Sequence, residues 1–350
     1  MRKKIKIQFS DWGKNLNAKE HFIYKLLAEK YEIELSEKPD FLFYSCYGYD
    51  FKKYENCVKV YLTNECLVPN FNECDYACGF DFLTLGDRYM RLPMIFLEME
   101  NGDFGAAREA GAELARRKFC NFIYSNSFSG EGAALRQDFA KQLMAYKHID
   151  CPGKVLNNMK DAITPRFGDW IKGKLEFVHN YKFTIAFENC RSNGYTTEKL
   201  LHPLMAHSVP IYWGNPEVVR DFNPKAFINC NDYRSLDEVI EKVIELDNDD
   251  EQYLQMLREP PMRPDYKFDK HQKLAEFLDH IIEKGNQPYN KNPHDLSEVK
   301  ALQLENGYLQ KIVGALTDDE NKKAIFKRVV KNGCIKSYLF GINIGKKKLK

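Results

Sequence analysis

Residues 183–200, FTIAFENCRSNGYTTEKL, carry the pattern that decides the fold of this chain. The apolar run 183–187 has the length and composition of a buried strand, and it stops abruptly at Glu188. A polar turn with a glycine follows, and a helix then begins with two threonines and an adjacent Glu-Lys pair. A strand that ends in polar groups and turns into a helix N-terminus is an arrangement that binds phosphate and sugar hydroxyls. The segment therefore predicts a ligand site built on an α/β sheet.

Short strands and helices alternate on both sides of this segment, as short apolar runs and as apolar residues at helical spacing. The predicted strands cover residues 5–9, 31–35, 41–44, 58–62, 76–80, 121–124, 182–187, 209–213 and 227–229. The predicted helices cover residues 18–30, 133–146, 196–207, 235–246, 251–258 and 270–283. This alternation is typical of an α/β protein with parallel, helix-covered sheets.

The strand pattern starts again near residue 116, so the sequence predicts two successive α/β domains. The first would cover residues 1–115 and the second residues 116–285, and 350 residues are enough for two separate cores. The segment GNQPYNKNP at residues 285–293 predicts a linker. Residues 286–350 would then form a helical, basic tail. Two such domains leave a cleft, and ligands bind at the carboxyl ends of the strands.

Composition indicates a soluble globular protein, with 44% hydrophobic and 29% charged residues. The N-terminus, MRKKIKIQF, is charged and has no apolar segment of the signal-peptide kind. No run approaches the roughly 18 apolar residues that a transmembrane helix requires. The ten cysteines form no CxxC pair and have no histidines at ligand spacing. We therefore expect reduced thiols, a cytosolic protein and no metal site.

The net charge of +2 hides an asymmetry. Ten of the 52 Lys and Arg residues lie in residues 321–350, which contain no Asp or Glu, so the remaining body carries 42 basic against 50 acidic residues. A basic amphipathic segment suits an anionic membrane surface, at about 1 kcal/mol per nearby cation. We expect a cytoplasmic protein that is peripheral at the inner membrane. A solvated, disordered tail is the alternative, and nucleic acid binding is disfavoured because the body is acidic and no binding motif accompanies the tail.

Cationic side chains at two predicted strand-to-helix transitions suit a diphosphate. At one, the helix N-terminus offers free N–H groups and Lys199 adds a full charge, while Glu198 would accept hydrogen bonds from ribose or sugar hydroxyls. At the other, Arg136 can bind phosphate with two nitrogens, and Ser125 and Asn126 end the preceding strand. Each feature also fits a simpler alternative: a threonine-capped helix, a surface arginine or a loop turn.

Glycine-rich nucleotide motifs do not explain these positions. The first strand is not followed by GxGxxG, and the chain contains no GxxxxGK[ST]. The segment SGEG at residues 129–132 is too short and too acidic for a phosphate-binding P-loop. The sequence therefore disfavours dinucleotide oxidoreduction and P-loop hydrolysis.

A set of short motifs extends over roughly residues 5–260. In chain order they are VYLTNE (60–65), PNFN (69–72), DYACGF (75–80), DRYMRLP (87–93), PGKVLNN (152–158), FEN (187–189), GYTTEKL (194–200), VPIYWG (209–214) and DFNPK (221–225). Together they resemble the bacterial α1,3/4-fucosyltransferases of glycosyltransferase family 10. The turn CRS at 190–192 and Pro203 depart from the pattern of that family.

The resemblance implies a GT-B fold, in which two Rossmann-like domains face a cleft and the second binds GDP-fucose. It implies an inverting single displacement without an obligatory metal. It places the general base at Glu65 and the phosphate-binding cations at Arg136 and Lys199. Further donor contacts would come from Asn189, Tyr195 and Glu198.

The function expected from the resemblance is transfer of L-fucose from GDP-fucose to GlcNAc or glucose of a β-galactoside acceptor, in α1,3 or α1,4 linkage or both. Its partners would be the nucleotide sugar and a glycan acceptor, in the synthesis of a Lewis-antigen-like surface glycan on lipopolysaccharide or protein. Two alternatives remain open. One is a GT-B transferase that uses another nucleotide sugar, and the other is a catalytically idle nucleotide-sugar-binding protein.

Overall fold

The computed structural model describes residues 2–13, 16–93, 99, 106–127, 130–159, 170–263 and 270–289. These residues form two compact units. The first contains residues up to 79, 84–90 and those from 271 onward, and the second contains 80–83 and 91–270. The domain boundaries expected at 115 and 285 remain a prediction. The compact units differ from them in assigning residues 80–83, 91–93 and 106–115 to the second unit and residues 271–285 to the first.

The first sheet has six strands in the order β2-β1-β3-β4-β5-β6. The strands are β1 (Lys4–Ser10), β2 (Glu32–Leu35), β3 (Phe41–Tyr44), β4 (Val58–Leu62), β5 (Tyr76–Gly79) and β6 (Tyr89–Arg91). Helix α1 (Phe22–Lys30) connects β1 to β2, and the pairs from β2 through β5 are parallel. All four residues of β3 are buried. A continuous apolar run is what a parallel strand covered on both faces requires.

The second sheet has five parallel strands in the order β11-β10-β9-β7-β8. The strands are β7 (Lys118–Asn121), β8 (Ile149–Asp150), β9 (Tyr181–Phe187), β10 (Val209–Trp213) and β11 (Ile228–Asn229). The accompanying helices are α2 (Glu131–Met144), α3 (Trp170–His179), α4 (Glu198–Met205), α5 (Leu236–Asn248) and α6 (Asp250–Arg258). The central strand β9 is buried along its whole length.

The last described helix, α7 (Lys270–Lys284), belongs to the first unit. Its buried face consists of Leu274, Leu278, Ile281 and Ile282, at helical spacing. Asp279 of α7 forms an ion pair with Lys30 at 2.7 Å, next to the end of α1. The chain therefore returns to its first unit after completing the second.

Both sheets repeat one topology. When the strands of each sheet are numbered by chain order, their spatial order is 2-1-3-4-5 in both sheets. The first sheet has a sixth strand, which lies beside the fifth and forms the sheet edge. In such a sheet the connections leave the first and third strands in opposite directions, so a crevice opens between the carboxyl ends of these two strands. The crevice lies between β1 and β3 in the first sheet and between β7 and β9 in the second.

Several predicted elements differ from the structure. The strand expected at 121–124 is wrong, because β7 ends at Asn121. Phe122 and Tyr124 are buried in the core of the second unit, so their apolarity reflects packing outside the sheet. Helix α4 begins two residues later than expected because Thr197 has extended backbone and caps it. The elements β6, β8 and α3 were not predicted.

The cysteine prediction also needs correction. Seven described cysteines are free thiols, but Cys66 and Cys190 are disulfide-bonded. Sequence spacing does not reveal which cysteines approach each other in space, so the expectation that all are reduced was wrong for these two. Across the described part of the chain, no helix has the length and apolarity needed to span a membrane. The predicted basic tail, beyond residue 289, lies outside the described residues.

Candidate active site

The crevice of the second sheet is lined by the loop after β7 and the turn after β9. Arg136, on the second turn of α2, joins these two segments. Its guanidinium donates to the side-chain oxygen of Asn189 at 2.9 Å and to the carbonyl of Asn126 at 2.5 Å. The same group stacks on the ring of Tyr124, 4.0 Å from the centroid. The structure therefore brings together three of the positions that the sequence selected.

Arg136 is completely buried, and burial lowers its pKa from the usual arginine value. Its two terminal nitrogens are hydrogen-bonded to protein atoms, but within the described residues its Nε has no partner. A buried donor without a partner costs about 1–3 kcal/mol. An acceptor oxygen brought by a ligand would remove that cost.

Glu188 ties the end of β9 to the beginning of α4. Its carboxylate is fully buried and accepts from the backbone N–H of Thr197 at 2.8 Å and from the Thr197 hydroxyl at 2.7 Å. Burial raises the pKa of Glu188, while the Thr197 hydrogen bonds and Lys199 act in the opposite direction. From the sequence, Glu188 was identified only as the residue that ends a strand, and its contact with Thr197 was not predicted. An acidic residue directly after a wholly apolar strand was the signal for this role.

Lys199 lies between two carboxylates. Its ammonium is 3.4 Å from Glu188 Oε2, 3.4 Å from Glu198 Oε1 and 3.0 Å from the Thr197 hydroxyl. Burial alone would lower the pKa of Lys199, but the two carboxylates outweigh it and hold the pKa well above its usual value. Lys199 is therefore a permanent cation at neutral pH, and it is held by protein anions rather than extended into solvent.

Glu198 has further cationic neighbours on helices α3 and α4. Burial would raise its pKa, but the charges of Lys199, Lys174 and His202 lower it to about 2. Lys174 Nζ lies 3.0 Å from His202 Nδ1, and His202 is itself buried. Glu198 is therefore ionised at every physiological pH, so both of its oxygens can accept hydrogen bonds from hydroxyls.

Glycines allow the segments around Glu188 to approach closely. A Cβ at Gly132, on α2, would collide with the backbone carbonyl of Glu188 and lie 2.8 Å from the Trp213 ring. A Cβ at Gly214, after β10, would collide with the Glu188 side chain. Gly132, which the sequence suggested only as part of a loop, thus sets the distance between α2 and the end of β9.

Two other predicted site residues, Tyr195 and Ser125, differ in exposure. Tyr195 is buried, and its ring packs edge-to-face on Phe80 with centroids 5.1 Å apart. Ser125 is exposed, and its side chain forms no hydrogen bond with the described residues. Because β7 ends at Asn121, Ser125 and Asn126 lie in the loop rather than at the strand end as expected.

Glu65 belongs to the first unit, three residues after the end of β4. Its side chain is exposed at the carboxyl edge of the first sheet and accepts a hydrogen bond from Tyr47 at 3.1 Å. Within the described ranges, no group of three or more His, Cys, Asp or Glu side chains is arranged to hold a metal ion.

Two models of known protein families match this chain. Residues 7–97 match the N-terminal domain of alpha-(1,3)-fucosyltransferase FucT, and residues 114–283 match the C-terminal part of glycosyltransferase family 10 (fucosyltransferase). Alpha-(1,3)-fucosyltransferase FucT of Helicobacter pylori is 30% identical over 300 residues, which are 74% of this chain and 60% of the relative. Alpha-(1,3)-fucosyltransferase B of Drosophila melanogaster is 27% identical over 188 residues, 49% of this chain and 41% of the relative.

Solved structures agree with these matches. A crystal structure of alpha1,3-fucosyltransferase with GDP is similar with a TM-score of 0.66 and 28% identity, covering 83% of this chain and 94% of the solved one. A structure with GDP-fucose has a TM-score of 0.64 and 28% identity, covering 84% and 94%. The chain thus spans most of the solved domains but less than two thirds of the length of the Helicobacter pylori relative.

The link between Glu188 and Thr197 can be tested by stability. Thr197→Ala removes the cap of α4 and one donor to a buried carboxylate, and should lower the free energy of unfolding by about 2–3 kcal/mol. Ser235→Ala is the matched control, because Ser235 caps α5 at an exposed site and should cost only about 1 kcal/mol. Urea unfolding of both variants measures the difference. Equal losses would contradict the role assigned to the buried carboxylate.

Proposed function

This chain belongs to glycosyltransferase family 10, and from that premise we propose that it transfers L-fucose from GDP-fucose to a glycan acceptor. Its fold is GT-B, built on two parallel Rossmann-like sheets. The observation that carries the proposal is the convergence of Arg136, Lys199 and Glu198 at the crevice of the second sheet. The similar solved structures contain GDP and GDP-fucose, which supports the same donor here.

The donor would bind through the cations of the second unit. The diphosphate suits Arg136, whose buried Nε has no partner among the described residues, and Lys199, which carries a permanent charge. The ionised Glu198 suits hydroxyl groups of the ribose or the sugar. A phosphate oxygen near Lys199 would compete with Glu188 and Glu198 for the ammonium. Donor binding would therefore rearrange an existing ion-pair cluster, rather than contact cations that have no protein partner.

We propose an inverting single displacement with Glu65 as the general base. The acceptor hydroxyl gives its proton to the Glu65 carboxylate while its oxygen forms a bond to the anomeric carbon of fucose. The bond from that carbon to the β-phosphate oxygen breaks in the same step, and GDP leaves with the electron pair. Arg136 and Lys199 stabilise the charge that develops on the diphosphate. This assignment needs no divalent metal for charge neutralisation.

The proposed acceptor is GlcNAc or glucose of a β-galactoside, with α1,3 or α1,4 linkage or both. The names of the relatives, which are alpha-(1,3)-fucosyltransferases, support the α1,3 linkage. We propose that the product is a Lewis-antigen-like surface glycan, carried by lipopolysaccharide or protein.

A transfer assay tests the proposal directly. The purified chain is incubated with GDP-fucose and lactose, type 1 or type 2 acceptors, and the products are analysed by mass spectrometry. We expect the addition of one deoxyhexose, with an α linkage in the NMR spectrum of the product. Transfer from GDP-mannose or a UDP-sugar in place of GDP-fucose would favour another nucleotide-sugar transferase. Donor binding without turnover across the acceptor panel would favour an idle binding protein.

Two variants should separate the base from the donor site. Glu65→Gln should abolish transfer but keep GDP-fucose binding, because only the proton acceptor is lost. Lys199→Ala should weaken GDP binding about tenfold or more and lower the rate, because a charge-assisted contact to phosphate is worth about 1.5–3 kcal/mol. Isothermal titration with GDP and initial-rate kinetics measure both. Retained turnover in Glu65→Gln, or unchanged GDP affinity in Lys199→Ala, would remove that residue from its assigned role.

We also propose that the protein is cytoplasmic and peripheral at the inner membrane through its basic C-terminal segment. The support is composition alone: ten Lys or Arg and no acidic residue in residues 321–350. Co-sedimentation with vesicles containing anionic lipid should therefore be lost, or reduced severalfold, when the chain is truncated after Glu320. Neutral vesicles are the control. Equal co-sedimentation of the full and truncated chains would refute the membrane role.

A further inference from the structure

The exposed carboxylate of Glu65 is held by a side chain from the neighbouring loop. The hydroxyl of Tyr47 donates to Glu65 Oε1 at 3.1 Å. Tyr47 lies three residues after β3 and Glu65 three residues after β4, and these two strands are adjacent and parallel. Parallel strands present their carboxyl ends at the same edge, so the two loops meet there.

We propose that Tyr47 is a positioning residue for the base: it holds one oxygen of Glu65 and leaves the other aimed at the acceptor hydroxyl. This inference rests on the proposed function of Glu65. It assigns Tyr47 no contact with the reacting atoms. The role of Tyr47 is to restrict the rotation of the carboxylate.

The backbone of Glu65 is restrained as well. Its N–H donates to the buried hydroxyl of Thr63 at 3.1 Å, and its carbonyl accepts from Leu67 at 2.7 Å. The described residues offer no hydrogen bond to the second carboxylate oxygen, Oε2. One oxygen is thus anchored and the other is open, which is the geometry a base needs to accept a proton from a bound hydroxyl.

Tyr47 is itself fixed to the loop after β1. Its N–H donates to the carbonyl of Asp11 at 3.0 Å, and the Asp11 carboxylate accepts from the backbone N–H groups of Asp50 and Phe51 at 3.0 and 2.8 Å. Gly48 has no room for a side chain, because a Cβ would collide with the Asp11 carboxylate. The loops after β1, β3 and β4 are therefore linked in series, and the ring of Tyr47 remains 50% exposed.

The surroundings of Tyr47 keep its hydroxyl protonated, so it can remain a hydrogen-bond donor. Burial, and then the nearby charge of Glu65, raise the pKa of Tyr47. The other titratable group shown to interact with Glu65 is the thiol of Cys46, whose pKa burial raises to about 11. Both neighbours are therefore neutral at physiological pH. A neutral donor stabilises the carboxylate without an ion pair that would compete with the acceptor proton.

Tyr47→Phe tests this role, since it keeps the ring and removes only the donor. We expect kcat to fall about 3–10-fold, because the loss of this hydrogen bond leaves the Glu65 carboxylate free to rotate away from the acceptor hydroxyl. The KM for GDP-fucose should not change. Tyr54→Phe is the matched control, because it removes a Tyr–Glu hydrogen bond to Glu37 at 3.5 Å in the same unit. We expect parental kinetics from it.

The outcomes separate this inference from the proposed function. Turnover retained by Glu65→Gln would overturn the assignment of the base, and the positioning role with it. If Glu65→Gln is inactive while Tyr47→Phe keeps the parental kcat, only the positioning role fails. A lower kcat in Tyr47→Phe together with a higher KM for GDP-fucose would point to a merely structural effect and would also overturn the inference.

Discussion

The buried carboxylate of Glu188 is the group on which the arrangement of the second unit's crevice depends. A carboxylate without surface exposure costs several kcal/mol unless donors and a cation compensate it. Thr197 supplies two donors and Lys199 supplies the cation. Because Thr197 is also the cap of α4, the same contacts decide where that helix begins and where Lys199 lies. Gly132 leaves room for the backbone carbonyl of Glu188, and Gly214 leaves room for its side chain.

In both units, hydrogen-bonding or ion-pairing partners hold a charged functional side chain in place, but the sign of the charge differs. In the second, cations are held in place by protein acceptors: Lys199 by two carboxylates and Arg136 by Asn189 and Asn126. In the first, a carboxylate is held by a neutral donor, since Tyr47 binds Glu65. In the second unit the cations lie near the beginning of helices α2 and α4, and in the first unit the carboxylate lies in the loop after β4. Groups oriented before the ligand arrives need little reorganisation during reaction.

Apolar patterning predicted the central strands with the bounds that the structure has for β3, β4 and β10. It succeeded there because a parallel strand covered on both faces is a nearly continuous apolar run. It failed at residues 122–124, where Phe122 and Tyr124 are just as buried but lie beyond the sheet. It also missed α3, a helix of ten residues whose stability depends on tertiary packing. Burial can be read from sequence, but the hydrogen-bonding partner of a buried residue cannot.

The sequence by itself determined two α/β units, the strand-turn-helix segment at 183–200 and the motifs of family 10. These are local properties, because hydrophobic periodicity and turn chemistry act over a few neighbouring residues. Only the tertiary structure decided that Arg136 reaches Asn189, that Lys174 and His202 lie beside Glu198, and that Tyr47 binds Glu65. The contacts of Arg136, Lys174 and Tyr47 join different elements of the fold. The strand order brings Arg136 to Asn189, because it places β7 beside β9 although β8 lies between them in the sequence. Tyr47 meets Glu65 because β3 and β4 are parallel neighbours in the first sheet.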